Sequence, residues 1–268
     1  MLIALAALVG LLAVSAWLAH VKDNPLGDVK SGLLYSFTRF YLKRFQRLRV
    51  EGLEHVPTER WAGPMIVVAN HTAGIDPLIV QSNCRFWIRW MMAEDMRIGV
   101  LEWLWRWAQI ITVDRTGERR DMAPILEALR YAKRGGVVGI FPEGVIERPA
   151  RQLKPFEPGV GMLIARTKAR VLPAIITGTP EVSPAWASIW NRGHAVVTFH
   201  PIIEYADSGL DAAGITADLQ QRFLDITGWS LGERAEPQVS MTGEPVPQAS
   251  SNDPKPEASR SISAPEAG

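Results

Sequence analysis

Two residues in this chain have the types and spacing of a general base and its orienting acid. His71 and Asp76 stand five apart in Asn70-His71-Thr72-Ala73-Gly74-Ile75-Asp76-Pro77. A neutral imidazole near pH 7 can take a proton from a hydroxyl. A carboxylate behind it fixes the tautomer and stabilises the imidazolium that forms. No serine or cysteine lies between the two, so the pair has no local nucleophile to be acylated. The chemistry that fits is deprotonation of a hydroxyl that the substrate supplies. Residues five apart diverge on a continuous helix. The pair therefore meets only if the chain turns between them, and Gly74 permits a turn. A plainer reading also accounts for the residues: Asp76-Pro77 is the N-cap and first position of a helix Pro77-Leu78-Ile79-Val80-Gln81, and His71 is an ordinary loop histidine.

The elements around the pair would position it at the end of a strand. Met65-Ile66-Val67-Val68-Ala69 is a continuous apolar run that ends just before it. Similar runs recur at 86–92, 110–113, 137–141, 171–176 and 195–199. Unbroken apolar runs, rather than alternating ones, belong to strands covered on both faces. Helical segments are expected at 77–83, 100–108, 121–133, 159–168, 184–190 and 217–227. The alternation predicts an α/β fold with a largely parallel central sheet flanked by helices. In such sheets functional groups collect at the carboxyl ends of the strands. His71, Arg115 and Glu143 each follow a predicted strand and would share that rim.

Charged groups near those strand ends suggest contacts to an anion. Arg115 carries a planar fork suited to phosphate. Arg148 and Lys154 are two further candidates, or else plain surface charges. Glu143 sits in the tight Pro142-Glu143-Gly144 turn, where Gly144 reads most simply as the turn glycine. Trp103, Trp105 and Trp107 with Leu101 and Leu104 read as core, or alternatively as an acyl-chain slot or membrane-dipping surface.

Taken together these blocks resemble the glycerolipid acyltransferases, the family typified by 1-acylglycerol-3-phosphate acyltransferase. Asn70-His71 and Asp76 look like its Asn-His-x4-Asp block. Ile111-Thr112-Val113-Asp114-Arg115, Phe141-Pro142-Glu143-Gly144 and Val171-Leu172-Pro173-Ala174 look like the next three, in order, over roughly residues 48–205. The resemblance implies an O-acyltransferase with His71 and Asp76 catalytic, and Arg115, Glu143 and Gly144 at the acceptor. Arg148 and Lys154 join them as substrate-binding candidates. The implied acyl donor is acyl-CoA or acyl carrier protein, a substrate rather than a cofactor, and no metal or other cofactor is expected. The acceptor would be a lysophospholipid, first of all 1-acylglycerol-3-phosphate. The family's usual Thr-Arg-Ser after the glycine is here Val145-Ile146-Glu147. That departure raises another lysolipid or an aminolipid as the acceptor. A non-catalytic lipid-binding protein on the same fold is the reading outside catalysis.

The ends of the chain differ in character from its middle. Residues 1–19 lack charged side chains. At 1.5 Å per residue, a helix of that length approaches the ~30 Å bilayer core. No Lys or Arg precedes the run and the flank after it is basic, so an uncleaved anchor over residues 1–20 is expected rather than a cleaved signal. The positive-inside rule then puts the rest on the cytoplasmic face. Residues 21–50 would hold a basic amphipathic helix over 31–49, with Leu34, Phe37, Tyr41, Phe45 and Leu48 on one side. It packs on the domain or lies on anionic lipid. Residues 51–232 would form the acyltransferase domain that the resemblance implies. The stretch 233–268 has almost no large apolar residues and reads as a disordered tail. The net charge of +1 argues for no nucleic-acid partner, and the single cysteine, Cys84, excludes an intrachain disulfide. Membrane lipids and the acyl donor are the partners expected.

Overall fold

A computed structural model describes residues 2–97, 99–113 and 122–233. Arg115, the end of its sequence block and the expected tail from 234 onward lie outside those residues. Among the described residues seven strands form one sheet in the order β1 (Arg49–Glu51), β8 (Val196–Phe199), β7 (Arg170–Thr177), β2 (Met65–Ala69), β5 (Val137–Ile140), β3 (Ile88–Ala93), β4 (Ile111–Val113), and β6 (Gln152–Leu153) pairs separately with β9 (Ser230–Leu231). The five from β7 to β4 run parallel, β8 pairs antiparallel with β7, and β1 is parallel to β8. The expected α/β architecture is present. Strand β2 is central, and all five of its residues are buried.

Both faces of β2 are covered, which explains its unbroken apolar sequence. Met65, Val67 and Ala69 join a core with Ile79, Phe86 and Trp90 on one side. Ile66 and Val68 join Val138, Leu163 and Phe223 on the other. On the second side α6 (Gly159–Thr167) packs on α7 (Ala212–Thr227). Gly161 allows the contact: a Cβ there would lie 2.0 Å from the Ala212 carbonyl oxygen. Helix α7 starts five residues earlier than its apolar spacing suggests. The Asp211 side chain caps it by accepting from Gly214 N at 2.7 Å. The segment expected as a helix over 184–190 is a 3-10 turn, Ala185–Ile189.

The N-terminal region holds two helices, α1 (Leu2–Lys22) and α2 (Val29–Arg44). They meet closely because Gly32 lacks a side chain; a Cβ there would fall 1.8 Å from the Val21 carbonyl oxygen. Helix α2 is shorter than the expected 31–49. Its last turn gives way to Arg47 at φ 50°, and Arg49 N then bonds to Ala195 O at 2.9 Å. The chain thereby enters the sheet as β1, a strand of three residues with charged side chains at both ends and too short for a periodicity to show. The face of α2 that packs also differs from expectation. Ser31, Gly32, Tyr35 and Leu42 are buried, with Tyr35 OH donating to Gln81 O at 2.8 Å. Leu34 and Phe37, expected on the apolar side, are exposed along with Leu33 and Phe40. Helix α4 (Glu102–Ala108) likewise leaves Trp103 exposed rather than in the core. An open groove of about 420 Å³ runs between α2 and α4, lined by Asp28, Lys30, Ser31, Leu34, Trp103 and Trp107.

Candidate active site

The carboxyl end of β2 delivers His71, and α3 (Asp76–Gln81) begins at Asp76. The turn between them closes the pair: His71 Nδ1 lies 2.9 Å from Asp76 Oδ2. Asp76 is fully buried, and its carboxylate is held from several directions. Thr72 N and Ala73 N donate to Oδ2 at 2.6 and 2.8 Å, and the Thr72 hydroxyl reaches Oδ1 at 3.1 Å. Thr179 Oγ1 in turn donates to Thr72 Oγ1 at 2.7 Å. The aspartate thus points back into the turn and makes no cap bond to its own helix, unlike the plain N-cap reading. Gly74 serves a different need from the one expected. It makes room for the neighbouring segment, since a Cβ would lie 2.7 Å from the Ala185 carbonyl oxygen.

With Nδ1–H directed to the carboxylate, the basic nitrogen of His71 is Nε2. The side chain is 15 % exposed. One ring face is covered. The imidazole stacks on Phe141 with centroids 4.2 Å apart and planes 15° apart. Phe141 stacks in turn on Trp90 at 4.8 Å and 14°.

The loop after β5 clamps the histidine backbone. Glu143, which leaves β5 beside β2, accepts from His71 N at 2.9 Å through one oxygen and from Lys154 N at 2.8 Å through the other. Burial pushes its carboxyl up to about 8, against the pull of those two N–H groups. Each oxygen thus accepts from one backbone N–H. Gly144 is the turn glycine, at φ 69°. Four residues beyond Glu143, Glu147 N donates to His71 O at 2.7 Å. The Glu147 side chain is fully buried and accepts from Asn70 Nδ2 at 3.2 Å and Arg151 N at 2.6 Å. Burial raises its carboxyl as well. Asn70 extends the β2–β7 pairing by accepting from Ile176 N at 2.7 Å and donating to Ile176 O at 3.0 Å.

Arg148 is half-buried, and its Nη1 donates to Thr72 O and Glu147 O at 2.9 and 2.7 Å. It therefore stands beside the turn that joins His71 to Asp76. The Lys154 ammonium, also half-buried, reaches Gln152 Oε1 at 3.5 Å. His71, Asp76, Glu143, Gly144, Arg148 and Lys154 thus belong to one linked neighbourhood, although 83 positions separate its ends in sequence. Sequence reasoning missed Thr72 and Thr179 as members. Asn70 and Phe141 stood inside the sequence blocks and Glu147 in the departure after Gly144, but their contacts around the pair were not foreseen. Among the described residues no group of three or more His, Cys, Asp or Glu side chains is arranged to hold a metal ion.

Residues 47–177 match the family model described as Acyltransferase. The chain is 26% identical over 157 residues to the chloroplastic 1-acyl-sn-glycerol-3-phosphate acyltransferase BAT2 of Brassica napus, covering 58% of this chain and 45% of that protein. It is 28% identical over 163 residues to the 1-acyl-sn-glycerol-3-phosphate acyltransferase of Borreliella burgdorferi, covering 59% and 62%. The matched region thus spans about half to three fifths of those relatives. The crystal structure of the 1-acyl-sn-glycerophosphate acyltransferase PlsC from Thermotoga maritima shares the fold, with a TM-score of 0.59 and 20% identity, over 75% of this chain and 80% of that one. Residues 47–177 thus carry a likeness to the Acyltransferase family, and the curated relatives similar to this part of the chain are named as 1-acyl-sn-glycerol-3-phosphate acyltransferases.

Proposed function

We propose that the protein transfers a fatty acyl chain from a thioester, acyl-CoA or acyl carrier protein, to a hydroxyl of 1-acylglycerol-3-phosphate. One observation carries the reading: His71 Nδ1 is bound to an aspartate that three other donors hold in place, which leaves Nε2 as the base. Nε2 takes the acceptor's hydroxyl proton as that oxygen attacks the thioester carbon. The tetrahedral adduct collapses, the carbon–sulfur bond breaks, and the departing thiolate takes the proton back from Nε2. Proton transfer of this kind contributes about 10²–10⁴-fold. Arg148, Lys154 and Arg115 are the cations for the acceptor phosphate or the donor. The burial of Glu147 against Asn70 and Arg151 N supports this acceptor over a cationic one.

The protein works at a membrane surface on this reading. The window Leu5–Lys22 of α1 is long and apolar enough to cross a bilayer, a property that a signal sequence shares. Exposed Leu33, Leu34, Phe37 and Phe40 on α2 stand among Lys30, Arg39, Lys43 and Arg44, a combination suited to anionic lipid with the domain on the cytoplasmic face. The test is incubation of purified protein with labelled acyl-CoA or acyl carrier protein and a panel of lysolipids, with products read by mass spectrometry. Acylation of lysophosphatidate supports the proposal. Transfer only to zwitterionic lysolipids or aminolipids replaces the acceptor, and absence of any acylated lipid with either donor refutes the activity.

A further inference from the structure

The base is restrained by more than its aspartate. Gly139 in β5 has no side chain, and a Cβ there would lie 2.5 Å from Trp90 Cε3 and 2.6 Å from Cδ2. The indole of Trp90, from the neighbouring strand, therefore lies directly against the bare backbone of β5. Phe141 follows Gly139 by two residues along the same chain and rests on that indole at 4.8 Å. His71 rests on Phe141 at 4.2 Å. Three near-parallel rings thus form a column from the sheet to the reacting nitrogen, and its lower end is almost entirely buried, with Trp90 at 7% exposure.

We infer that Phe141, backed by Trp90 over Gly139, is a positioning residue for the proposed base and a platform for its charged form. The argument rests on the reading of His71 as the base. The Nδ1–Asp76 bond fixes where the ring points, but rotation about that bond still lets the plane tilt. A flat surface at van der Waals distance removes the tilt and aims the Nε2 lone pair. The same surface acts on charge. When Nε2 takes the hydroxyl proton, the ring becomes a cation held against the negative face of an aromatic ring, within the ~6 Å at which such attraction operates. The neutral base gains less from that quadrupole than the imidazolium, so the platform favours the transition state over the ground state. An aliphatic side chain of similar bulk would fill the space without offering the negative face.

The test compares Phe141→Leu, Phe141→Tyr, Trp90→Leu and Trp90→Phe with the parent enzyme, with near-UV circular dichroism as the check on folding. For Phe141→Leu kcat should fall about tenfold, with KM for donor and acceptor unchanged within about twofold. Phe141→Tyr should recover most of that loss. Trp90→Leu should lower kcat less than Phe141→Leu, and Trp90→Phe should restore it; this second pair decides the matter if Phe141→Leu does not fold. A folded Phe141→Leu enzyme with near-parental kcat overturns the inference. So does a loss confined to KM, or one equally large in the tyrosine and leucine variants. His71→Ala assayed alongside separates the two levels of argument. If that variant turns over, the base assignment itself fails. If it is inactive while Phe141→Leu is normal, only the platform fails.

Discussion

Asp76→Asn removes one charge from the centre of the site and leaves its shape almost intact. The side-chain oxygen that replaces Oδ2 can still accept from Thr72 N, Ala73 N and His71 Nδ1, now found at 2.6, 2.8 and 2.9 Å. The new amide group faces Thr72 Oγ1, now 3.1 Å from Oδ1, and a hydroxyl can accept as well as donate. Folding stability should therefore change by no more than about 1 kcal/mol. Catalysis should suffer far more, because the imidazolium formed in the transition state loses its buried counter-charge. Two unit charges about 4 Å apart at an effective dielectric of about 20 interact by about 4 kcal/mol. That corresponds to roughly a thousandfold loss in kcat. The assay is steady-state acyl transfer with thiol release followed continuously, paired with a thermal melt. A folded Asp76→Asn enzyme within about tenfold of the parent would show that the carboxylate orients the histidine without stabilising its charge.

Other expectations follow from the same contacts. Folded Glu143 titrates at about 8, against 4.5 for a free carboxyl. Between those values the folded state holds a proton that the unfolded state has released, so this group lowers stability as pH rises through that window. Glu143→Gln should flatten that part of the stability profile, measured by denaturant titration from pH 5 to about 8; an unchanged slope refutes the assignment. Glu147→Gln leaves one of the Asn70 and Arg151 donors facing an NH₂ group, and should cost about 1–3 kcal/mol in chemical denaturation. If its charge instead faced the acceptor, the change would appear in KM and leave stability untouched. Gly161→Ala forces a methyl against the Ala212 carbonyl oxygen and should cost about 1–3 kcal/mol, read as a lowered Tm. Removing residues 1–20 should leave salt-sensitive binding to anionic vesicles through α2, and complete release at low salt would contradict the interfacial reading.

What the sequence disclosed follows from where its signals are local. Strand β2 was legible to the residue, because burial on both faces makes Met65–Ala69 uniformly apolar and a polar Asn70 ends the run. The His71/Asp76 pair was legible because both partners lie within one turn. Strand β1 was hidden, since its pairing with β8 is supplied by residues almost 150 positions away and its own three residues carry no pattern. The packed face of α2 was misplaced for a related reason. Tyr35 is buried by a bond to Gln81 and Leu42 by the sheet core, while larger apolar side chains such as Phe37 and Phe40 remain outside. The role of Glu147 was invisible from its neighbours in the chain. Asn70, which donates to its carboxyl, lies 77 positions away in the chain. Glu143 is similar: nothing next to it in the chain discloses that His71 N and Lys154 N each donate to one of its oxygens.

The most direct measurement of the central claim is acyl transfer to lysophosphatidate by His71→Ala protein whose circular dichroism matches the parent. The side chain is partly exposed and fills no core site, so the variant should fold. Product formation should fall by about 10²-fold or more with the acceptor present. A folded His71→Ala protein that acylates lysophosphatidate at near-parental rate would contradict it.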